Sequence, residues 1–425
     1  MKKLLKITGI ILAIVFIAIA IFYYTKNEKL PEGKQGTEAD ALANKMLKAL
    51  NYEAYKSVEI LEWSFREKHF YSWNKQENTV KVIWDGNTVL LNTVNPKESK
   101  YLSGDNSSNE KNLIQNATDF FNNDSFWLVA PYKVFDNGVE RRLVNYNDKE
   151  ALLVTYTSGG STPGDSYLWI LDENGMPTDY KMWTSLIPVG GVAATWNEWK
   201  TTDAGIKLPK THTLSLFGMV LDMGTVKASN PKADQLANNI LKAIKHDAYK
   251  KTRYLEWSFG GKRFFKWDKK AHIVEVSWNK IKVILHPNNI EKSTVFIDKK
   301  EVTKEKEKSV KRALRFFNND SFWLVAPHKL FENGIIRSIQ KHQGKDALLV
   351  KYTTGGSTPG DSYLWILDDN YLPISYKMYV PSMKMEGVEA TWEDWITTES
   401  GTLLPKNHTF GKDRTLSMGD VKAYN

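Results

Sequence analysis

The chain has 425 residues, 42% of them hydrophobic, enough for two domains of ordinary size with a full core each. It contains no cysteine, which excludes disulfides, thiolate metal sites and attachment as a bacterial lipoprotein. Its net charge of +9 comes from lysines scattered among 49 acidic residues rather than from a compact basic stripe, so nucleic acid is not an expected partner.

Lys2, Lys3 and Lys6 precede an uncharged, mostly apolar run from Ile7 to Thr25, closed by Lys26. At about 1.5 Å per residue such a run spans or nearly spans a bilayer. Residues 1–25 are therefore expected to form an N-terminal transmembrane helix. The lysines hold the amino terminus in the cytoplasm, which places the rest extracytoplasmically, on the periplasmic side of an inner membrane. The competing reading is a signal peptide cut after Ala18-Ile19-Ala20, which would make the protein secreted. Residues 26–36, polar and containing Pro31 and Gly33, read as a tether.

A block of roughly 190 residues then occurs twice, at 37–229 and 230–425. Gly159 to Asp172 recurs unchanged at Gly355 to Asp368, and Phe120 to Pro131 at Phe316 to Pro327. Each block opens with a helix. Thr37 reads as a cap with Asp40 behind it, then Leu42, Met46, Leu47 and Leu50 at helical spacing. In the second block Asn230-Pro231 precedes Leu236, Ile240, Leu241 and Ile244. Short strands follow, among them Leu61 to Phe65 and a hairpin around Asp85-Gly86-Asn87. A second helix is expected through Leu113, Ala117, Phe120 and Phe121. Four more strands come after it, near Leu152 to Tyr156, Tyr167 to Leu171, Tyr180 to Trp183 and Gly191 to Trp199. The pattern is α+β: two tandem curved antiparallel sheets, each with a leading and a covering helix.

Fifteen tryptophans are the main compositional oddity, and most fall in register between the blocks. Large rings fill the core of a curved sheet, or form a concave wall for an acyl chain or a sugar face. The candidate ligand-binding set is Trp63, Trp84, Trp127, Trp169 and Trp196, with Trp257, Trp278, Trp323, Trp365 and Trp392. Trp196 and Trp199, three apart, point to opposite faces of a regular strand. The Gly-rich loop supplies a candidate rim: Gly160, Ser161 and Asp165 in one block, Gly356, Ser357 and Asp361 in the other. It lacks the lysine and following helix of a phosphate-binding loop.

Evidence for chemistry is thinner. His212 and His408 are the histidines in register, and one imidazole per block does not build a zinc site, so no metal or cofactor is expected. The repeated acids Asp124/Asp320, Asp165/Asp361 and Asp172/Asp368 read as caps and turn residues. Near its end the first block reads LSLFGMVLDMG (Leu214 to Gly224), an apolar stretch expected to pack inside.

The phrase YTSGGSTPGDSYLWILDENGMPTDYKMW (Tyr156 to Trp183), within this helix–sheet–helix–meander order, resembles uncharacterised anchored or secreted bacterial proteins with the lipoprotein-carrier (LolA/LolB-like) half-barrel. That resemblance implies two half-barrels, each with a hydrophobic cavity for a lipid or a lipidated protein, hence binding rather than catalysis. The expected function is binding of an apolar or amphiphilic ligand, such as a lipid, lipoprotein acyl chain or glycolipid. The alternatives are a carbohydrate-binding or adhesion module that exposes Trp196 or Trp392, and a hydrolase using the His212/His408 region with a repeated acid.

Overall fold

The computed structural model describes residues 23–104, 109–158, 162–354, 359–411 and 414–425, together with Thr8, Leu12, Ile14, Phe16, Ile17 and Ile21. The expected transmembrane helix therefore lies mostly outside the described residues; the positions described there are helical and exposed. Among the described residues no helix is long and apolar enough to cross a membrane. The chain divides into two compact units, Met1–Ser229 and Asn230–Asn425.

Each unit is mixed α/β with antiparallel sheets, none of which closes into a barrel among the described residues. In the first, helix Thr37–Leu50 buries Ala39, Ala43, Met46, Leu47 and Leu50 on one face. It begins one residue earlier than a Thr37 cap requires, because Gly36 at φ 128 takes the cap position. Asp40 is thereby free to face the sheet, where Arg141 Nε donates to it at 2.7 Å. The second unit repeats this bond between Arg337 and Asp234 at the same distance.

Six antiparallel strands follow in the order Lys227–Ser229, Ile60–Phe65, His69–Asn74, Thr79–Trp84, Asn87–Asn92 and Lys100–Ser103. The hairpin reading holds: Asp85 and Gly86 both take positive φ between Trp84 and Asn87, the twist a two-residue turn demands. A second sheet runs Val192–Thr195, Pro177–Trp183, Ser166–Leu171, Lys149–Tyr156 and Val139–Tyr146.

The pair Thr211–Thr213 and Val220–Asp222 joins the two ladders. Leu214 bridges to Ala194 on one side, and Ser64 N donates to Met223 O at 3.1 Å on the other. Gly224 sits at this junction with φ +62, where an added Cβ would lie 2.1 Å from Ser64 Oγ. Gly419 repeats the arrangement against Ser258, at 2.3 Å. No side chain fits either position, which explains the shared Met-Gly of the otherwise dissimilar closing segments.

Between the ladders lies a 20-residue helix, Glu110–Val129 in the first unit and Lys306–Val325 in the second. Its aromatics divide between the two sheets. Phe121 meets Trp73 edge-on at 5.2 Å in one, and Phe126 meets Tyr167 at 4.4 Å in the other. Each such pair adds about 0.5–1.5 kcal/mol beyond the area it buries.

Residues 26–36 are not a free tether. Glu28 N donates to Gly190 O at 3.0 Å, Trp183 Nε1 donates to Glu28 O at 2.8 Å, and Lys34 bridges to Leu143 on the edge strand. A Cβ on Gly190 would stand 2.5 Å from Trp183 Cδ1 and 2.7 Å from Glu28 O. The matching residue of the second unit is Glu386, which faces no such segment. Gly190→Ala is expected to release the clip while leaving the sheet intact. The readout is hydrogen exchange, rising at least tenfold at Glu28 with Ser166–Leu171 unchanged.

Candidate functional site

In the second unit a cavity of 540 Å³ lies between helix Lys306–Val325 and the sheet Ile335–Thr391, within the range of about 300–1,000 Å³ typical of small-molecule sites. The helix contributes Phe322 and Trp323, held by ring contacts to Tyr363 at 4.5 Å and His408 at 5.3 Å. Tyr352, Tyr363, Met378 and Val380 form the sheet wall, and Met383, Met385, Val388 and Phe410 close one end. Three methionines in the lining give it unbranched side chains that can repack around ligands of different shape. Nine of the 22 lining residues are polar: Arg315, Asn318, Asn319 and Ser321 from the helix, Lys329 and Glu332 paired at 3.2 Å, and Asn333, Thr354 and Asp361. The Tyr363 hydroxyl donates to Asp361 at 3.3 Å. The buried Tyr352 hydroxyl has no protein partner among the described residues, and burial raises its pKa, so it remains a donor for an occupant.

Of the ten tryptophans expected to bind ligand, Trp323 is among the residues lining this cavity. Trp365 and Trp392 are buried in the adjoining core, and Trp257 and Trp278 belong to the core cluster on the other side of the helix. In the first unit Trp63, Trp84, Trp169 and Trp196 are buried, while Trp127, half-buried, packs against Tyr180 and His212. Trp196 and Trp392 are each 3% exposed, so neither offers the face a sugar would stack on.

Trp196 and Trp199 do not point apart. Their rings stack at 5.6 Å because Glu198, at φ 52, breaks the strand and turns Trp199 back. Asp394 at φ 53 does the same beside Trp392 and Trp395. These two acids, chemically matched in sequence, are turn residues.

Gly160, Ser161, Gly356 and Ser357 lie outside the described residues. Asp165, at the base of that loop, accepts from Thr162 Oγ1 at 2.6 Å and from Ser185 N at 2.9 Å, while Asp361 enters the cavity wall. Asp172 accepts from the amides of Asn174 and Met176, the turn role expected of it. The apolar stretch Leu214 to Gly224 buries Leu214 and Leu221, but Phe217, Met219 and Val220 are exposed.

Asp124 is not a cap. The long helix runs through Asn122-Asn123 to Val129 and places Asp124 inside the helix, five residues before its end and buried against the sheet. Its Oδ2 bonds His69 Nδ1 at 2.7 Å and accepts from the Tyr71 hydroxyl at 2.5 Å. In the second unit these partners become Arg263 and Phe265. Arg263 compensates for the lost hydroxyl by donating through Nε at 2.5 Å and Nη2 at 3.0 Å to Asp320. Burial pushes the Asp320 carboxyl up, opposed by Arg263 and Asn319. Arg263→Ala, which strands a buried carboxylate, should cost about 3–5 kcal/mol in urea unfolding. With folded pKa above unfolded, that variant's stability should be intact below the ordinary carboxylate pKa and fall as pH rises through the folded one. Arg263→His with Phe265→Tyr, the first unit's own solution, should recover most of the loss, whereas a structural role for Arg263 in packing alone predicts no recovery.

His212 is fully buried, with Nδ1 2.9 Å from Thr195 O and Nε2 2.7 Å from Trp127 O. Both nitrogens face carbonyls, so in this position neither presents a lone pair to a substrate or metal. His408 keeps the Nδ1 bond, to Thr391 O at 2.7 Å. Burial outweighs these carbonyls and lowers each pKa to about 4. The unfolded chain takes up protons near the ordinary histidine value of about 6.5. Stability is then full above that value and lost as pH falls towards 4, by about 3 kcal/mol per ring. His408→Asn should flatten this acid slope in a series of thermal melts between pH 7 and pH 4.5; an unchanged slope rules out the neutral buried ring. Among the described residues no group of three or more His, Asp or Glu side chains is placed to hold a metal.

No family model matches this chain, and no curated protein matches it. Among solved structures it is similar to a DUF1329 family protein from Desulfovibrio piger ATCC 29098, at 10% identity over 46% of this chain and 93% of that one, with a TM-score of 0.28. So distant a likeness carries no argument about fold or activity.

Proposed function

We propose that the chain is a membrane-anchored, extracytoplasmic protein that binds an apolar or amphiphilic ligand, with each unit an open half-barrel of the lipoprotein-carrier kind. The observation that carries this reading is the 540 Å³ cavity between the long helix and the sheet of the second unit. Of its 22 lining side chains thirteen are aromatic, methionine or aliphatic and nine are polar, a mixed lining suited to an amphiphile with an acyl chain and a polar end. Continuous backbone pairing from Val139–Tyr146 through the junction strands to Lys100–Ser103 supports the half-barrel description. The apolar run Ile7 to Thr25 supports the anchor, and the clip at Glu28 would then hold the first unit close to the bilayer. A lipid or a lipidated protein is the proposed partner.

Val388 lines the cavity and is half-buried, so Val388→Trp should fill the space with little strain. The purified full chain should carry extractable lipid and bind a fluorescent acyl probe saturably. Val388→Trp should lower probe affinity at least tenfold with a melting temperature within a few degrees of wild type. Absence of both lipid and saturable binding in the wild type would falsify the proposal.

A further inference from the structure

Several residues of the second unit's cavity wall have identical counterparts in the first unit, but the charge at its rim does not. Asp361, which enters the wall, has its counterpart in Asp165, and Phe322 and Trp323 have theirs in Phe126 and Trp127. The exposed face of the long helix, two to three turns before those rings, has changed sign. Where the first unit carries Gln115, Asn116 and Asp119, the second carries Lys311, Arg312 and Arg315. Asp119 accepts from Gln115 at 3.0 Å and closes a small polar pair. Arg315 is exposed and has neither ion pair nor hydrogen bond among the described residues. Arg312 lies 5.3 Å over Phe316 and likewise has no carboxylate partner, while Lys311 pairs with Glu307 at the surface.

Arg315 has a second property. It lines the apolar cavity and also an open groove formed by Lys306, Lys308, Lys311 and Arg312 together with Thr303, Glu305 and Glu307. An unpaired guanidinium therefore stands where a cationic groove meets a greasy chamber. Its planar fork suits the paired oxygens of a phosphate or carboxylate, and neighbouring cations add attraction that the first unit's Asp119 would oppose. Asp361 does not cancel this asymmetry, because both units have it.

Resting on the reading of this cavity as the binding site, we infer that the second unit is selective for amphiphiles with an anionic head, held at Arg315 with the chain inside. The first unit, with Asp119 at the same place, does not share that preference.

The test uses the full chain in a non-ionic amphipol and displacement of a fluorescent acyl probe, with every competitor below its critical micelle concentration. Four competitors separate head from tail: dodecyl phosphate, dodecyl maltoside, dodecyltrimethylammonium and inorganic phosphate. Dodecyl phosphate should compete at least tenfold better than the neutral or cationic dodecyl compounds, and inorganic phosphate should fail. Arg315→Asp, at an exposed position, should remove that tenfold advantage, with a melting temperature within a few degrees of wild type showing that the fold is kept. Arg312→Gln should remove only part of it, and added salt should weaken dodecyl phosphate alone. Equal competition by the three dodecyl compounds, or an Arg315→Asp variant that keeps the preference, overturns the inference while binding itself stands. Competition by inorganic phosphate as strong as by dodecyl phosphate overturns it too, because the chain would then contribute nothing. If the acyl probe does not bind at all, the reading of the cavity fails and the inference with it.

Discussion

A carboxylate is buried where a long helix crosses an aromatic-lined sheet, and the geometry of each unit follows from satisfying it. Asp124 and Asp320 sit within the C-terminal third of their helices, facing the strand His69–Asn74 or Arg263–Asp268 of the first sheet. An unpaired charge there would cost several kcal/mol, so the helix can occupy only the rotation and depth at which that strand reaches it. Once fixed, the helix presents Phe120 and Phe121 to one ladder and Phe126 and Trp127 to the other. The two ladders are thereby held apart at a distance that their hydrogen bonds alone do not determine.

The two units solve this problem with different chemistry, and that difference identifies the interaction as a constraint. His69 and Tyr71 each give one bond to one oxygen; Arg263 gives two bonds to two oxygens and frees position 265 to be Phe. Position 265 then stacks on Trp257 at 4.7 Å just as Tyr71 stacks on Trp63 at 4.5 Å. Ring packing and charge satisfaction are conserved between the units although the residues are not.

Much of this was legible from spacing. Tryptophans in register marked the cores, Asn230-Pro231 marked a helix start, and Asp85-Gly86 marked a tight hairpin. What escaped depended on backbone breaks and on partners distant in sequence. A strand periodicity of two fails at Glu198, whose left-handed φ reverses the side of Trp199. Asp124 reads as a helix end because Asn-Asn precedes it, yet tertiary burial carries the helix five residues further, to Val129. Gly190 looks like any loop glycine until Glu28, over 150 residues earlier, is found against it. The lining of the cavity was the least legible feature. Most of the named indoles are core, and apart from Trp323 and Asp361 the lining residues are Phe, Tyr, Met, aliphatic and polar positions with no sequence signature of their own.

Divergence between the units is itself informative about where selection has had room. At the sheet junction both keep Gly224 and Gly419, because a Cβ would strike a serine hydroxyl. In the helix both keep the run Phe120 to Pro131, because every member from Phe120 to Trp127 packs, pairs or faces the core. One turn earlier, on the exposed face of the same helix, three positions change from neutral or acidic to basic. Of these side chains Arg312 reaches over the Trp278 and Phe316 rings, while Lys311 and Arg315 stay at the surface, so the change bears chiefly on the electrostatic potential at the cavity rim. The duplicated scaffold thus keeps its ring packing and its satisfied buried carboxylate, while the exposed face of the long helix has changed the sign of its charge.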